Sequence, residues 1–493
     1  MKRMVISLAL MGAVAACGGQ AAPAASPAGS SPATAASAAV PAASTAASKP
    51  AAASGAPASA ASSSAAPAAA GGLASASPAA SASAAASNTA AGTASGPIKI
   101  GELLPLTGAF GSNVGNDNKD GFALYFQTLN NTIAGRQIQI STQDDQGLGE
   151  PTAVKSRELV ENEKVSLLVG VEGTPEALTL APYVKQVKVP VAITGNAGTA
   201  NLLVDPKIAS PYMNRFTVAV PQFSDTISDW AFKQGYRKAV LIVSDYAGGL
   251  QTGDAAAAAF VNRGGSIVQE LYPAQGTKDF GPFLAKLDQS ADVILEFLPG
   301  TDGLRFMQQF DDYVPQRKAV ILDVNNVIAR GPSVDQLKDK AVGMVASADW
   351  TEALDNPLNQ DFLKLFAQKF PGRVTSADVA EGYAGAEAVA SAIKAVNGNV
   401  ENSDAFLNAL HNVDVDTIKG HVKLDKTDDV IESMYIFQIV KNGNSYGRKV
   451  LDTYKDITPF WDMGATGTTF PFGTLKGKWV GMTKAQLAQI TAK

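Results

Sequence analysis

The 493-residue chain carries 45 acidic and 40 basic side chains, and three of the basic ones, Lys2, Arg3 and Lys49, lie ahead of Pro97, where no acid occurs. The remainder, from Pro97 to the C-terminus, is an acidic body with no basic run, which excludes nucleic acid as a partner and gives no attraction to anionic lipid. Cys17 is the single cysteine and the two histidines are His411 and His421, so an internal disulfide and a metal centre built on those residue types are excluded as well.

The N-terminus reads as an export signal. Lys2 and Arg3 precede MVISLALMGAVAA at residues 4–16, which is apolar apart from Ser7 and Gly12. That suits the core of a signal peptide and falls short of the roughly 20 apolar residues that span a bilayer. Val14-Ala15-Ala16-Cys17 comes next and resembles the lipobox of bacterial lipoproteins. The resemblance implies a lipid on the Cys17 thiol, cleavage before it, and a membrane anchor stable enough for permanent attachment. An ordinary signal peptide with an incidental cysteine is the plainer alternative. Residues 18–96 are almost entirely Ala, Ser, Pro, Gly and Thr. Such a segment buries too little to offset its ordering entropy and is expected to be a disordered tether, with an end-to-end distance of about 50 Å. A glycosylated stalk has the same composition.

From Pro97 onward, strand and helix signals alternate. Residues 98–104 read as a strand, 117–130 as a helix with an apolar face at Phe122, Leu124, Tyr125, Phe126 and Leu129, and 137–143 as a strand. Residues 151–163 read as a helix and 165–170 as a buried strand ending in glycine. Thr174 is placed to cap the next helix, with Pro175 and Glu176 in its first turn. Residues 189–194 form the next strand. The rhythm restarts at 239–243 and continues through 293–297 and 319–322. Strands alternating with helices predict parallel sheets with helices on both faces, and two such runs predict two α/β lobes.

Several motifs occur in a fixed order. Leu104-Pro105-Leu106-Thr107-Gly108, Asp144-Asp145, Gly195-Asn196-Ala197-Gly198 and Ser210-Pro211-Tyr212 come first. Ser244-Asp245-Tyr246-Ala247-Gly248, Leu298-Pro299-Gly300, Glu381-Gly382-Tyr383 and Gly420-His421-Val422-Lys423-Leu424-Asp425 come after them. Together they resemble the branched-chain amino-acid type of periplasmic binding protein, from Pro97 to about Trp461. The resemblance implies the type I fold: two Rossmann-like lobes with parallel-sheet cores, joined by a hinge of three crossovers, with ligand in the cleft. It implies one lobe from 97–217 plus 351–432 and a second from 218–350 plus 433–493. It further implies an extracytoplasmic, monomeric solute-binding protein that serves the permease subunits of an ABC uptake transporter, closes on its ligand and uses no cofactor.

Ligands of open α/β sheets sit beyond the carboxyl ends of strands. That rule selects loops 107–111, 171–175 and 195–199, then 244–249, 298–302 and 323–326. Thr174 stands out, because free N–H groups and the dipole of a helix start favour an anion. The family resemblance puts the ligand carboxylate at the same loop, on Gly173 and Thr174, with further contacts from Asn196, Ala197 and Thr199. Phe110 is a candidate apolar wall and Tyr246 a residue that closes over the ligand; core packing and a surface position are their plainer readings. In amino-acid binders of the family a second-lobe acid receives the ligand ammonium. Asn325 aligns there, which weakens the amino-acid assignment. Asp302, beside Thr301, and Asp323 are the candidate substitutes.

Three functions fit: a transporter binding protein, a ligand sensor for a membrane receptor, and a secreted enzyme. The enzyme is disfavoured, because no metal-ligand cluster or nucleophile elbow appears. The expected ligand is a small carboxylate, an amino acid first and a non-amino acid such as an aromatic acid second.

Overall fold

A computed structural model describes residues 95–108, 114–316 and 318–491. Cys17, the signal segment, nearly all of the tether and Phe110 lie outside the described residues.

Six strands form the first sheet: β1 (Ile98–Leu104), β2 (Thr132–Ile133), β3 (Arg136–Asp144), β4 (Leu167–Gly170), β5 (Val191–Ile193) and β6 (Met213–Arg215). Their order is β2-β3-β1-β4-β5-β6, parallel except for β2. β1 is buried on both faces, as a central parallel strand must be. Ile98 and Ile100 pack with Phe122, Phe126 and Val389 on one face, whereas Leu103 packs with Leu168, Leu180 and Val184 on the other. The order reverses at β1, so the loops after β1 and β4 diverge and open a crevice there.

The second sheet holds β7 (Lys238–Val243), β8 (Ser266–Leu271), β9 (Val293–Phe297), β10 (Val320–Asp323) and β11 (Val345–Ala348), parallel in the order β8-β7-β9-β10-β11. A hairpin of β12 (Asp414–Thr417) and β13 (Gly420–Leu424) leads into β14 (Val430–Asn442), which pairs antiparallel with β11 and with β15 (Ser445–Ile457). The sheet is therefore parallel in its core, as expected, and antiparallel at one margin.

The chain crosses between the sheets three times: after β6, after β11, and on entering β14. Lys419, in the turn between β12 and β13, ties the crossings together. Its ammonium lies 2.7 Å from Asp349 on the second crossing and 2.7 Å from Glu432 on the third, and it donates to the Phe216 carbonyl on the first. Beyond Trp461, where the resemblance stops, the chain packs back on the second lobe. Phe470, Trp479 and Leu487 enter the same core as Trp230 and Phe260.

Candidate ligand site between the sheets

The loops leaving the carboxyl ends of both sheets meet around a cavity of about 340 Å³. This is the size of a pocket for one small molecule. From the first lobe come Val114 after β1, Glu172 to Thr174 after β4, and Asn196 and Gly198 after β5. From the second come Tyr246 after β7, Phe297, Pro299, Gly300 and Thr301 around the end of β9, and Asn325 and Arg330 after β10.

Gly173, Thr174, Asn196, Tyr246, Thr301 and Asn325 of the expected residues are thus brought around one cavity. Thr174 does not cap its helix as expected. The helix runs Thr174–Val187 with Gly173 as its N-cap, and the Thr174 hydroxyl accepts from Thr199 Oγ1 at 3.1 Å. Thr199 therefore stands behind Thr174, off the cavity wall. Ala197 is buried, its N–H donated to the Val171 carbonyl and its own carbonyl accepting from Arg215, so it shapes the loop without facing the cavity. Asp302 is turned away as well: it accepts from the Gly276 N–H at 2.7 Å and pairs with Arg305 at 3.1 Å. Asp323 accepts from the backbone N–H groups of Val327, Ile328 and Ala329, closing its own loop. Neither acid is free to meet a ligand ammonium.

Four charged residues on the wall were missed: Asp117, Glu172, Arg330 and Asp378. Glu172 lies within a loop selected by the strand-end rule, next to Thr174. Arg330 lies seven residues past β10, and Asp378 starts a helix that follows no strand, so the rule does not reach them. Ser376 before Asp378 was a usable signal, since it caps the Ala377–Ala395 helix by accepting from the Val379 N–H. Arg330 belongs to the second lobe and Asp378 to a helix packed on the first. They form an ion pair across the cleft, with side chains 12% and 3% exposed. Arg330 Nε also donates to the Asn326 carbonyl at 2.7 Å.

The sequence matches the periplasmic binding protein family over residues 97–444. The chain belongs to that family. The Leu/Ile/Val-binding protein homolog 6 of Brucella melitensis is 25% identical over 365 residues, 73% of this chain and 92% of that protein. An ABC transporter substrate-binding protein from Sphaerobacter thermophilus superposes with a TM-score of 0.70 at 29% identity, covering 74% of this chain and 100% of the other. A solute-binding protein of an ABC transporter from Rhodopseudomonas palustris, in complex with 3,4-dihydroxybenzoic acid, gives 0.68 at 27% identity and covers 74% and 98%. The family consists of extracytoplasmic solute-binding proteins, not enzymes. No described helix is long and apolar enough to cross a membrane.

In a periplasmic binding protein the ionisation of the cleft decides what it admits. Burial pushes Glu172 up to about 8, reinforced by Asp378 and opposed by the Asn196 N–H. Burial also raises Asp117 to about 6, against its hydrogen bond from Ser376. Glu381, behind Asn196, is held well above the usual carboxylate range by burial and by Asp349. Burial disfavours the Arg330 charge, but Asp378, Glu381 and Glu172 more than offset it and hold the guanidinium protonated.

Proposed function

We propose that this protein captures a small carboxylate-bearing solute, an amino acid in the first place, by closing two lobes on it, and delivers it to the permease of an ABC transporter. The lobes comprise residues 97–217 plus 351–432 and 218–350 plus 433–493. The observation that carries the reading is Thr174, on the cavity wall at the first turn of a helix, where its N–H has no intrahelical partner and its hydroxyl, accepting from Thr199, is left to donate. Glu176 folds back beside it; a Cβ on Gly173 would lie 2.5 Å from its Oε2. Burial raises Glu176 to about 8, with Asp145 adding to the shift, so near neutral pH it carries a proton and does not repel an anion. Val220, Phe297, Pro299, Leu304 and Val327 offer an apolar body room on the remaining wall. The names of the relatives point the same way: one is a Leu/Ile/Val-binding homolog and another holds an aromatic acid. The latter favours an aromatic acid as the second reading.

The test is Thr174→Val, which keeps the shape and removes the hydroxyl. Calorimetry should show affinity reduced about tenfold or more for whichever acid stabilises the wild type in a thermal-shift panel. Unchanged affinity would remove Thr174 from the site. For the anchor, Cys17 is proposed to carry lipid and residues 18–96 to hold the body off the membrane. Cys17→Ser is expected to move the protein from the membrane to the soluble fraction; retention at the membrane would defeat that assignment.

A further inference from the structure

Two buried acceptors line the cavity from opposite sides. Glu172 Oε2 accepts from the Asn196 N–H at 2.9 Å, whereas its Oε1 finds no donor among the described residues. Across the cleft, Asn325 Oδ1 likewise has no donor among the described residues. The two residues are 7% and 8% exposed. Both residues line the cavity, so a donor carried by a bound solute can reach them.

The backbone beside each is left-handed, which strains Val171 and which an asparagine such as Asn326 tolerates. Val171, just before Glu172, has φ 68°, and Asn326, just after Asn325, has φ 53°. A left-handed conformation is uncommon for any residue with a side chain and an outlier for a β-branched one. It persists where neighbours over-determine it, and such positions cluster at binding sites. Val171 is fixed by donating to the Leu103 carbonyl at 2.9 Å and accepting from the Ala197 N–H at 3.2 Å. Asn326 is fixed by Arg330 Nε on its carbonyl. These contacts aim Glu172 and Asn325 rather than the reverse.

The charge of the wall selects the kind of donor. Asp117, Glu172 and Asp378 contribute carboxyl groups, and Arg330 is the one cationic residue among the described lining residues. Asp378 already takes Arg330 and Asp117 takes Arg373 at 2.6 Å, which leaves Glu172 as the lining carboxyl without an ion-pair partner among the described residues. Burial pushes Glu172 up to about 8, and a positively charged donor beside it offsets that burial and draws the carboxyl to its ionised form, which a neutral hydroxyl does not.

We propose that the ligand carries an ammonium, held between Glu172 Oε1 of the first lobe and Asn325 Oδ1 of the second. The acidic partner thus comes from the opposite lobe to the one expected, and the solute is an amino acid with an apolar or aromatic side chain. This deepens the carboxylate reading and rests on it: Glu172 and Thr174 line the same cavity, so one solute can present an ammonium to the first and a carboxylate to the second.

Calorimetry on the purified protein tests it with L-leucine against 4-methylpentanoate, L-phenylalanine against 3-phenylpropanoate, and 3,4-dihydroxybenzoate alone. At least one amino acid should bind about 100-fold or more tightly than its deaminated partner, since an unpaired buried acid is left behind when the ammonium is absent. Glu172→Gln should erase most of that difference. Asn325→Ala should narrow it and serves as the second variant if Glu172→Gln does not fold. Deaminated acids or 3,4-dihydroxybenzoate binding as tightly as the amino acids would overturn the ammonium and leave the carboxylate reading standing. A discrimination that Glu172→Gln, correctly folded by circular dichroism, leaves intact would overturn the role of Glu172. Binding of none of the five to folded wild-type protein would overturn both readings.

Discussion

Glu102 on β1 is 1% exposed and accepts one hydrogen bond, from Thr142 Oγ1 at 2.7 Å. Burial pushes its carboxyl up to about 7, and burial with Asp462 nearby pushes Asp225 up to about 8. In the unfolded chain both ionise near pH 4, about the ordinary carboxylate value. The folded protein therefore binds protons that the unfolded chain releases, and stability falls with rising pH over the interval between the two values. The contribution is complete below about pH 4 and is lost as pH rises through 7 to 8. The thermal midpoint is expected to drop between pH 5 and pH 8, and Glu102→Gln, which cannot ionise, should make the drop shallower. A midpoint that stays level or climbs over that range would contradict the assignment. Single side chains also mark where the site was hidden in the sequence. Thr174 and Asn196 were legible from the strand-end rule, because backbone position alone brings them to the cleft. Asp302 and Asp323 satisfy the rule equally well, yet Gly276 and Arg305 claim one and the loop's own N–H groups claim the other. Side-chain direction in an irregular loop is set by whichever donors claim the side chain once the loop has folded, and it is what separates Glu172 from Asp302.

At the level of elements, the parallel strands were legible because each is a short apolar run, buried on both faces and succeeded by a helical pattern. β14 and β15 were not, although Asn442-Gly443 is a strong hairpin signal and Gly443 has φ 62°. β15 alternates exposed and half-buried residues and resembles a surface segment when read alone. The chain beyond Trp461 gave still less, since it has short helices and turns with no periodicity. Two carboxylates of the second lobe hold it, Glu270 by accepting from the N–H groups of Gly477, Trp479 and Val480 and Asp254 by more contacts. Asp254 accepts from the N–H groups of Gly473, Thr474 and Leu475 through Oδ2, and from Trp479 Nε1 through Oδ1 at 2.7 Å. Trp479 is fully buried against the second lobe. Trp479→Ala should cost about 3–5 kcal/mol in urea unfolding, the range for deleting a large buried aromatic side chain. A loss below about 1 kcal/mol would mean that the segment adds little to the lobe.

For the molecule as a whole, closure requires crossings that bend without separating and a contact that holds the closed state. Lys419 meets the first requirement, because its partners Phe216, Asp349 and Glu432 lie one on each crossing. The Arg330–Asp378 pair meets the second, since its members belong to different lobes and are both largely buried. Opening the cleft returns both charges to water, so the pair contributes to closure only where the ligand completes the surrounding wall. Removing one partner is harsher, because it leaves the guanidinium buried without its ion-pair partner in the closed state, typically at a cost of about 3–5 kcal/mol. A ligand at about 100 times its dissociation constant supplies only about 2.7 kcal/mol toward the bound state. The deficit decides the outcome for Asp378→Asn. Small-angle scattering of wild-type protein should show a smaller radius of gyration with saturating ligand, and Asp378→Asn should keep most of the unliganded radius at the same concentration. A variant that contracts as fully as the wild type would show that the ion pair does not hold the cleft. A wild type that does not contract with a ligand proven by calorimetry would remove hinge closure itself, because the three crossings would then be braces rather than pivots.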